Sequence, residues 1–248
     1  MGNHLTTSFF GLANSEEFVN GIQQAINHIQ PQEGIYVGDN LFTYHRNLSF
    51  LDDEPMMKAF NAHATTPVEQ ACLWRFSTLL WGVRNGLRLE GDFVECACYK
   101  GTTVRVICDA VGFANHTDRH YYLYDLFDHD PNMPHHAMPE HSRKLFADTK
   151  ARFSDCPNVT VTQGKVPDVL ADVAPEKIAF MHIDMNSAEA EVGALEVLFE
   201  RMVPGAVLVL DDYGWLAYRA QKLAEDQCLE KRGYRVLELP TGQGIVIK

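Results

Sequence analysis

What is scarce in this 248-residue sequence narrows its role before any motif is read. Basic residues are few: 21 Lys and Arg against 33 Asp and Glu give a formal charge of -12. A phosphate-rich polymer is repelled over most of such a surface, so nucleic acid is not an expected partner. No apolar stretch is long enough for a membrane span, and the opening MGNHLTTSFFGLANSEE lacks the basic n-region of a signal peptide. A cytoplasmic protein without a membrane partner is expected; Gly2 and Thr6 fit a myristoylation pattern, but one that recurs by chance. No CxxC pair occurs among the six cysteines at 72, 96, 98, 108, 156 and 228. Reduced, mostly buried thiols are expected, and Cys96 with Cys98 make a poor zinc site.

What is present suits one compact α/β unit, since 46% hydrophobic content over 248 residues can bury a sizeable core. Asn14 or Ser15 can cap a first helix to about residue 29. The following DNLFTYHRNLSFLDDEPMM shows no clean period and reads as an irregular lid or packed connector. Thr66, Pro67 and Glu69 then give a strong helix start, with the helix running to Gly86. From Gly91 onward short apolar runs alternate with helical stretches: FVECA, YYLYD, VTVTQ, IAFMHID and AVLVLDD each precede a helix, and YRVLEL and GIVIK close the chain. Strands separated by helices imply a mostly parallel sheet covered on both faces. The last two runs stand too close for a crossover helix and should be antiparallel. The expected fold is therefore α/β, a seven-stranded, mostly parallel sheet with a C-terminal antiparallel hairpin, and this layout resembles the Rossmann-like SAM-dependent methyltransferase fold. The expected division is an N-terminal helical or irregular extension over 1–65, for a lid or for oligomerisation, and a catalytic domain over 66–248.

Ligands of an open parallel sheet bind beyond the carboxyl ends of its strands. Those positions hold Glu95, Asp125, Gln163 with Gly164, Asp184, and Asp211 with Asp212. The turn after the first strand reads GDFVECACYKG, with Ala97 and Gly101 around bulky Cys98, Tyr99 and Lys100. A dinucleotide fingerprint needs G-x-G-x-x-G to admit a pyrophosphate, so this spacing argues against NAD. S-adenosylmethionine (SAM) has no pyrophosphate; Glu95 can receive its ammonium and Asp125 its ribose hydroxyls. Asp184, Asp211 and Asp212, three carboxylates on adjacent strand ends, repel one another unless a cation sits between them. Oxygen ligands suit Mg²⁺, with Mn²⁺ or Ca²⁺ as substitutes. The competing reading makes Asp211 a helix cap and Asp212 a solvated side chain.

GDFVECACYKG, YDLFDHDP, IAFMHIDMNSAEAE and VPGAVLVLDDYG, in this order and spacing, resemble the TylF/MycF family of metal-dependent, SAM-dependent O-methyltransferases, which act on sugar hydroxyls of antibiotics. The resemblance covers residues 66 to 248. It implies a cofactor set of Glu95, Ala97, Tyr99, Gly101, Thr102, Asp125, Gln163, Gly164 and Asp184, and a metal set of Asp184, Asp211 and Asp212. It also implies a hydroxylated small-molecule acceptor, a vicinal diol of a sugar, whose hydroxyl the metal acidifies. Ala97 departs from the family's glycine, which a wider turn would absorb. Asn186 departs from an Asp proposed as general base, and Asn cannot take a proton. His182, Asn186 and His45 are the catalytic candidates, with the base unassigned; Tyr44, His129, His135, His136 and His141 are further ones. Trp215, Phe127 and Met133 could wall the acceptor. A catechol is the rival acceptor, and a non-catalytic SAM-binding regulator or assembly partner, motivated by Asn186, is the rival class. A homo-oligomer is compatible with the N-terminal helix.

Overall fold

The computed structural model describes residues 2–129, 138, 140–142 and 144–248; Met133, His135 and His136 lie outside the described residues. The N-terminal part is more regular than its sequence suggests. Strand β1 (His4–Leu5) precedes helix α1 (Ser15–Ile26), whose first turn is capped by the Asn14 side chain accepting from the Glu17 amide at 3.1 Å. Strands β2 (Tyr36–Gly38) and β3 (Leu41–Thr43) then pair antiparallel, and β1 adds to β2 in parallel, making a three-stranded sheet. The stretch expected to be irregular begins with the turn and second strand of this hairpin. Its two turn residues, Asp39 and Asn40, both sit in the left-handed region with φ of 51° and 57°, the tight turn whose twist matches paired strands and which Asp and Asn tolerate. Helix α2 (Glu54–His63) follows, capped by Asp53 with Pro55 in its first turn.

The expected helix from Thr66 to Gly86 is two helices, α3 (Pro67–Ala71) and α4 (Leu73–Gly86), separated at Cys72. Thr66 and Glu69 form the full reciprocal cap. Then come β4 (Asp92–Cys96), α5 (Thr102–Val111), β5 (Tyr121–Asp125), α6 (Leu145–Arg152), β6 (Val159–Gln163), α7 (Leu170–Val173), β7 (Ile178–Ile183), α8 (Ala188–Leu198), β8 (Met202–Leu210), α9 (Arg219–Glu230), β9 (Leu237–Glu238) and β10 (Gly244–Ile247). The sheet order is β6-β5-β4-β7-β8-β10-β9, with the first five parallel and β10 antiparallel to both its neighbours. The seven strands and the antiparallel C-terminal pair are as expected, although β9 keeps only two residues at the edge.

Alternation along the buried strands divides the core into two layers. Phe93, Phe180, Val207 and Val209 face α4 and α5, while Val94, Met181, Ile183 and Leu208 face α8 and α9. The N-terminal part shares a third apolar cluster with the first of these layers: Tyr36, Met56 and Phe60 pack among Leu73, Phe76, Leu80 and Val106. Among the described residues no helix is long and apolar enough to cross a membrane. Parallel strand order reverses between β4 and β7, so the carboxyl ends of β4, β5, β7 and β8 converge on one crevice.

Candidate active site

A cleft of about 920 Å³ opens at those strand ends. Its floor is the turn after β4. Ala97 and Tyr99 both line it, with φ of 69° and 49°. Ala97 thus adopts the left-handed conformation that glycine takes most cheaply, and no wider turn replaces it. The Asp125 carboxylate ties this turn to the end of β5: Oδ2 accepts from the Tyr99 amide and Oδ1 from the Phe127 amide, each at 2.6 Å. Gly164, Asp184, Asn186 and the 165–168 turn complete the wall, with the first residues of α8.

Of the nine cofactor candidates, Ala97, Tyr99, Asp125, Gly164 and Asp184 line this cleft; Glu95, Gly101, Thr102 and Gln163 do not. Gly101 is constrained by packing. With φ of 74° it ends the turn ahead of α5, and a Cβ there would meet the Phe153 ring at 2.8 Å. Thr102 is buried at the start of α5, and Gln163 faces solvent with its amide donating to the Leu126 carbonyl. Glu95 shares the strand face of Phe93 and points under the sheet, 2% exposed.

Glu95 begins a chain of buried charges. Its Oε2 lies 3.1 Å from Nδ1 of His182 on β7, and His182 Nε2 lies 3.6 Å from Asp211 Oδ1. Burial pulls the imidazole pKa down, but the carboxylates on its two sides override this and hold it well above the ordinary value. The His182 ring is thus enclosed between Glu95 and Asp211, 2% exposed, and does not line the cleft. Asp211 Oδ1 also accepts from the Gln243 amide at 2.9 Å, and its Oδ2 from Arg75 Nη1 at 2.5 Å. Burial opposes ionisation of Asp211, yet Arg75 and His182 together keep its pKa below the usual carboxylate range. Arg75, on α4, also donates from Nη1 to Asp212 Oδ1 at 2.9 Å, and its Nε and Nη2 take both oxygens of Asp39 at 2.6 and 2.9 Å.

Asp184, Asp211 and Asp212 come together, each offering a carboxylate oxygen within 4.8 Å of the others. Asp211 and Asp212 therefore face the cluster and Arg75; neither caps α9 nor points to open solvent. Among the described residues no hydrogen bond reaches the Asp184 carboxylate, and burial followed by the charges of Asp211 and Asp212 drives its pKa well above normal. Burial and then Asp211 push Asp212 up to about 6. With Glu95 matched by His182, the four aspartates at 39, 184, 211 and 212 face one guanidinium, so negative charge is in excess. Beside them the buried Oδ1 of Asn186 has no partner. A hard divalent cation with oxygen ligands fits this donor set.

His45 does not join the cluster. It follows β3 on the side away from the Asp39 turn, is exposed, and packs edge-on against Tyr44. Asn186 does face the cleft, held at φ 53° by its amide donating to Glu191 Oε1 at 3.0 Å. Trp215 lies over Arg75, 5.4 Å from the guanidinium carbon, and meets Phe10 edge-on at 5.6 Å. Arg75 and Asp39 are the site residues that sequence reasoning missed. Only Asp39 carried a signal, the Asp-Asn pair of a tight turn.

Residues 94–213 match a family model described as a methyltransferase domain. The chain has the fold of a SAM-dependent methyltransferase. Among solved structures, the O-methyltransferase NovP is 15% identical with a TM-score of 0.61, over 81% of this chain and 99% of that one. CalS11, a calicheamicin methyltransferase, is 14% identical at 0.57, over 83% and 95%. TomG from Streptomyces achromogenes, involved in tomaymycin synthesis and solved with SAM, is 14% identical at 0.53, over 81% and 94%. No curated protein matches the chain in sequence. At these identities the likeness concerns the methyltransferase fold alone, and the chemistry rests on the residues just described.

Proposed function

We propose that the chain transfers the methyl group of SAM to a hydroxyl of a small acceptor, a vicinal diol on a sugar, using Mg²⁺ or a similar divalent ion held by Asp184, Asp211 and Asp212. The observation that carries this reading is that Asp184 belongs to both the cleft and the carboxylate cluster, so cofactor and acidic site adjoin. A sugar acceptor is supported by the description of CalS11 as a TDP-rhamnose 3'-O-methyltransferase.

SAM supplies an electrophilic methyl on a sulfonium, and a divalent ion supplies Lewis acidity toward a bound hydroxyl. The chain's own part is alignment and charge. Asp125, held by two backbone amides at the end of β5, lines the cleft where a ribose would sit, and the Ala97–Tyr99 turn floors it. The unpartnered Asn186 Oδ1 accepts a hydrogen bond from the cofactor ammonium or the acceptor. His182 lies outside the cleft lining and Asn186 cannot take a proton, so the acceptor hydroxyl would be acidified by an ion at the carboxylate cluster and its proton would leave to solvent. Methyl transfer is an in-line displacement in which positioning supplies most of the acceleration.

Calorimetry with SAM and with NAD, followed by turnover on methyl glycosides and catechols with Mg²⁺ or EDTA, tests the proposal. SAM binding and EDTA-sensitive methylation of a glycoside with adjacent free hydroxyls are expected. NAD binding without SAM binding, or turnover indifferent to EDTA, would overturn it; exclusive turnover of catechols would replace the acceptor.

A further inference from the structure

The hairpin turn of the N-terminal sheet reaches the centre of the carboxylate cluster. Asp39 is 3% exposed, and its two oxygens form a fork-to-fork pair with Nε and Nη2 of Arg75 at 2.6 and 2.9 Å. The third nitrogen of the same guanidinium, Nη1, is shared between Asp211 Oδ2 and Asp212 Oδ1. Arg75 thus already supplies a positive charge to two of the three carboxylates that a divalent ion would use, and it does so from a buried position. An ion arriving at Asp184, Asp211 and Asp212 meets this fixed cation as a competitor. The planar fork cannot give up its charge, but a second carboxylate on its far side offsets that charge at short range.

We infer that Asp39, acting through Arg75, is a positioning residue that sets the divalent-ion affinity of the cluster. The inference rests on the metal reading given above. With Asp39 present, the guanidinium is anchored at two points and pulled toward the hairpin, so Asp211 and Asp212 keep negative charge available to the ion. Without it, the whole positive charge falls on Asp211 and Asp212. The N-terminal 65 residues thereby enter the chemistry of a site whose ligands all lie beyond residue 180.

Mn²⁺ binding to the full chain, titrated by the loss of the free-ion EPR signal, tests this without any turnover. Wild type should bind Mn²⁺ and Asp184→Asn should not; failure of either would remove the metal reading and this inference with it. If that holds, Asp39→Asn should weaken Mn²⁺ binding by about tenfold or more, because the guanidinium charge that Asp39 offsets then falls undivided on two of the ion's carboxylates. Arg75→Gln should shift affinity the opposite way, and the double variant should bind like Arg75→Gln. A purely structural role for the pair predicts that both single variants weaken binding together, an outcome that overturns the inference. Mn²⁺ affinity of Asp39→Asn within twofold of wild type overturns it equally, while leaving the metal site in place.

Discussion

Ala97 occupies a left-handed backbone position, φ 69°, at the floor of the cleft, where a Cβ costs about 1 kcal/mol. Ala97→Gly should therefore stabilise the chain despite glycine's extra unfolded-state entropy, raising the melting temperature by about 1–3 °C in calorimetry. Asp184 is strained differently, by charge. Its carboxylate is driven well above its ordinary pKa, and that of Asp212 to about 6. A carboxyl group whose folded pKa is raised contributes stability in full below its unfolded value near 3.8 and loses it as pH rises through the folded value. Metal-free protein should accordingly melt higher at pH 5.5 than at pH 7.5 in scanning fluorimetry with EDTA, and Asp184→Asn should shrink that difference. Asp211, held low by Arg75 and His182, works the other way, but its window lies below pH 3.8 and does not enter this range. Divalent-ion affinity should fall over the same descent in pH, because the ligands must be ionised. Glu95 shows where residue-level reading fails. A parallel strand is apolar on both faces, so alternation does not reveal which face an acid takes. Only pairing with β7, where Glu95 lies beside His182, sends it under the sheet.

At the scale of elements, the β4–α5 turn depends on Gly101, which is left-handed and has the Phe153 ring of the segment after α6 against the space a side chain would need. Gly101→Ala combines backbone strain with overpacking and should cost about 2–4 kcal/mol. Its denaturant midpoint should fall, and SAM affinity in calorimetry should drop with it, since Tyr99 and its bond to Asp125 ride on the same turn. The elements from Thr66 onward were legible because each carries a signal of its own: a reciprocal cap at Thr66 and Glu69, β-rich runs bounded by glycine, and a gap between β9 and β10 too short for a crossover. The three-stranded N-terminal sheet was not, because two- and three-residue strands are too short to show alternation. Helix α2 was readable in principle, having Asp53 as cap and Pro55 in its first turn, the same signature that marked α3. The carboxylate cluster was legible for a different reason: parallel topology fixes where strand ends meet, so Asp184 after β7 and Asp211 after β8 had to be neighbours. Arg75 was not, since nothing in an amphipathic helix sequence tells which of its cations turns inward.

For the molecule as a whole, the division of the chain at residue 65 meets a continuous apolar cluster. Tyr36, Met56 and Phe60, each 1% exposed or less, pack on Leu73, Phe76 and Leu80 of α4 and on Val106 of α5. The Tyr36 hydroxyl donates to the Ala71 carbonyl at 2.6 Å, and Arg84 of α4 pairs with Asp53. Removing residues 1–65 would uncover a large apolar face on α4 and α5 and leave Arg75 buried against the cluster without Asp39. Loss of one buried aromatic alone costs about 3–5 kcal/mol, a large share of the 5–15 kcal/mol that holds a domain folded. The chain cut to 66–248 should therefore be insoluble, or should lack a cooperative thermal transition, in spite of retaining all seven strands of the main sheet. A well-behaved truncated protein with a sharp calorimetric transition would show that the N-terminal part is an accessory. In that case, adding residues 1–65 back as a separate chain should leave Mn²⁺ binding unchanged, whereas integration of the two parts requires that the fragments reconstitute it together or not at all.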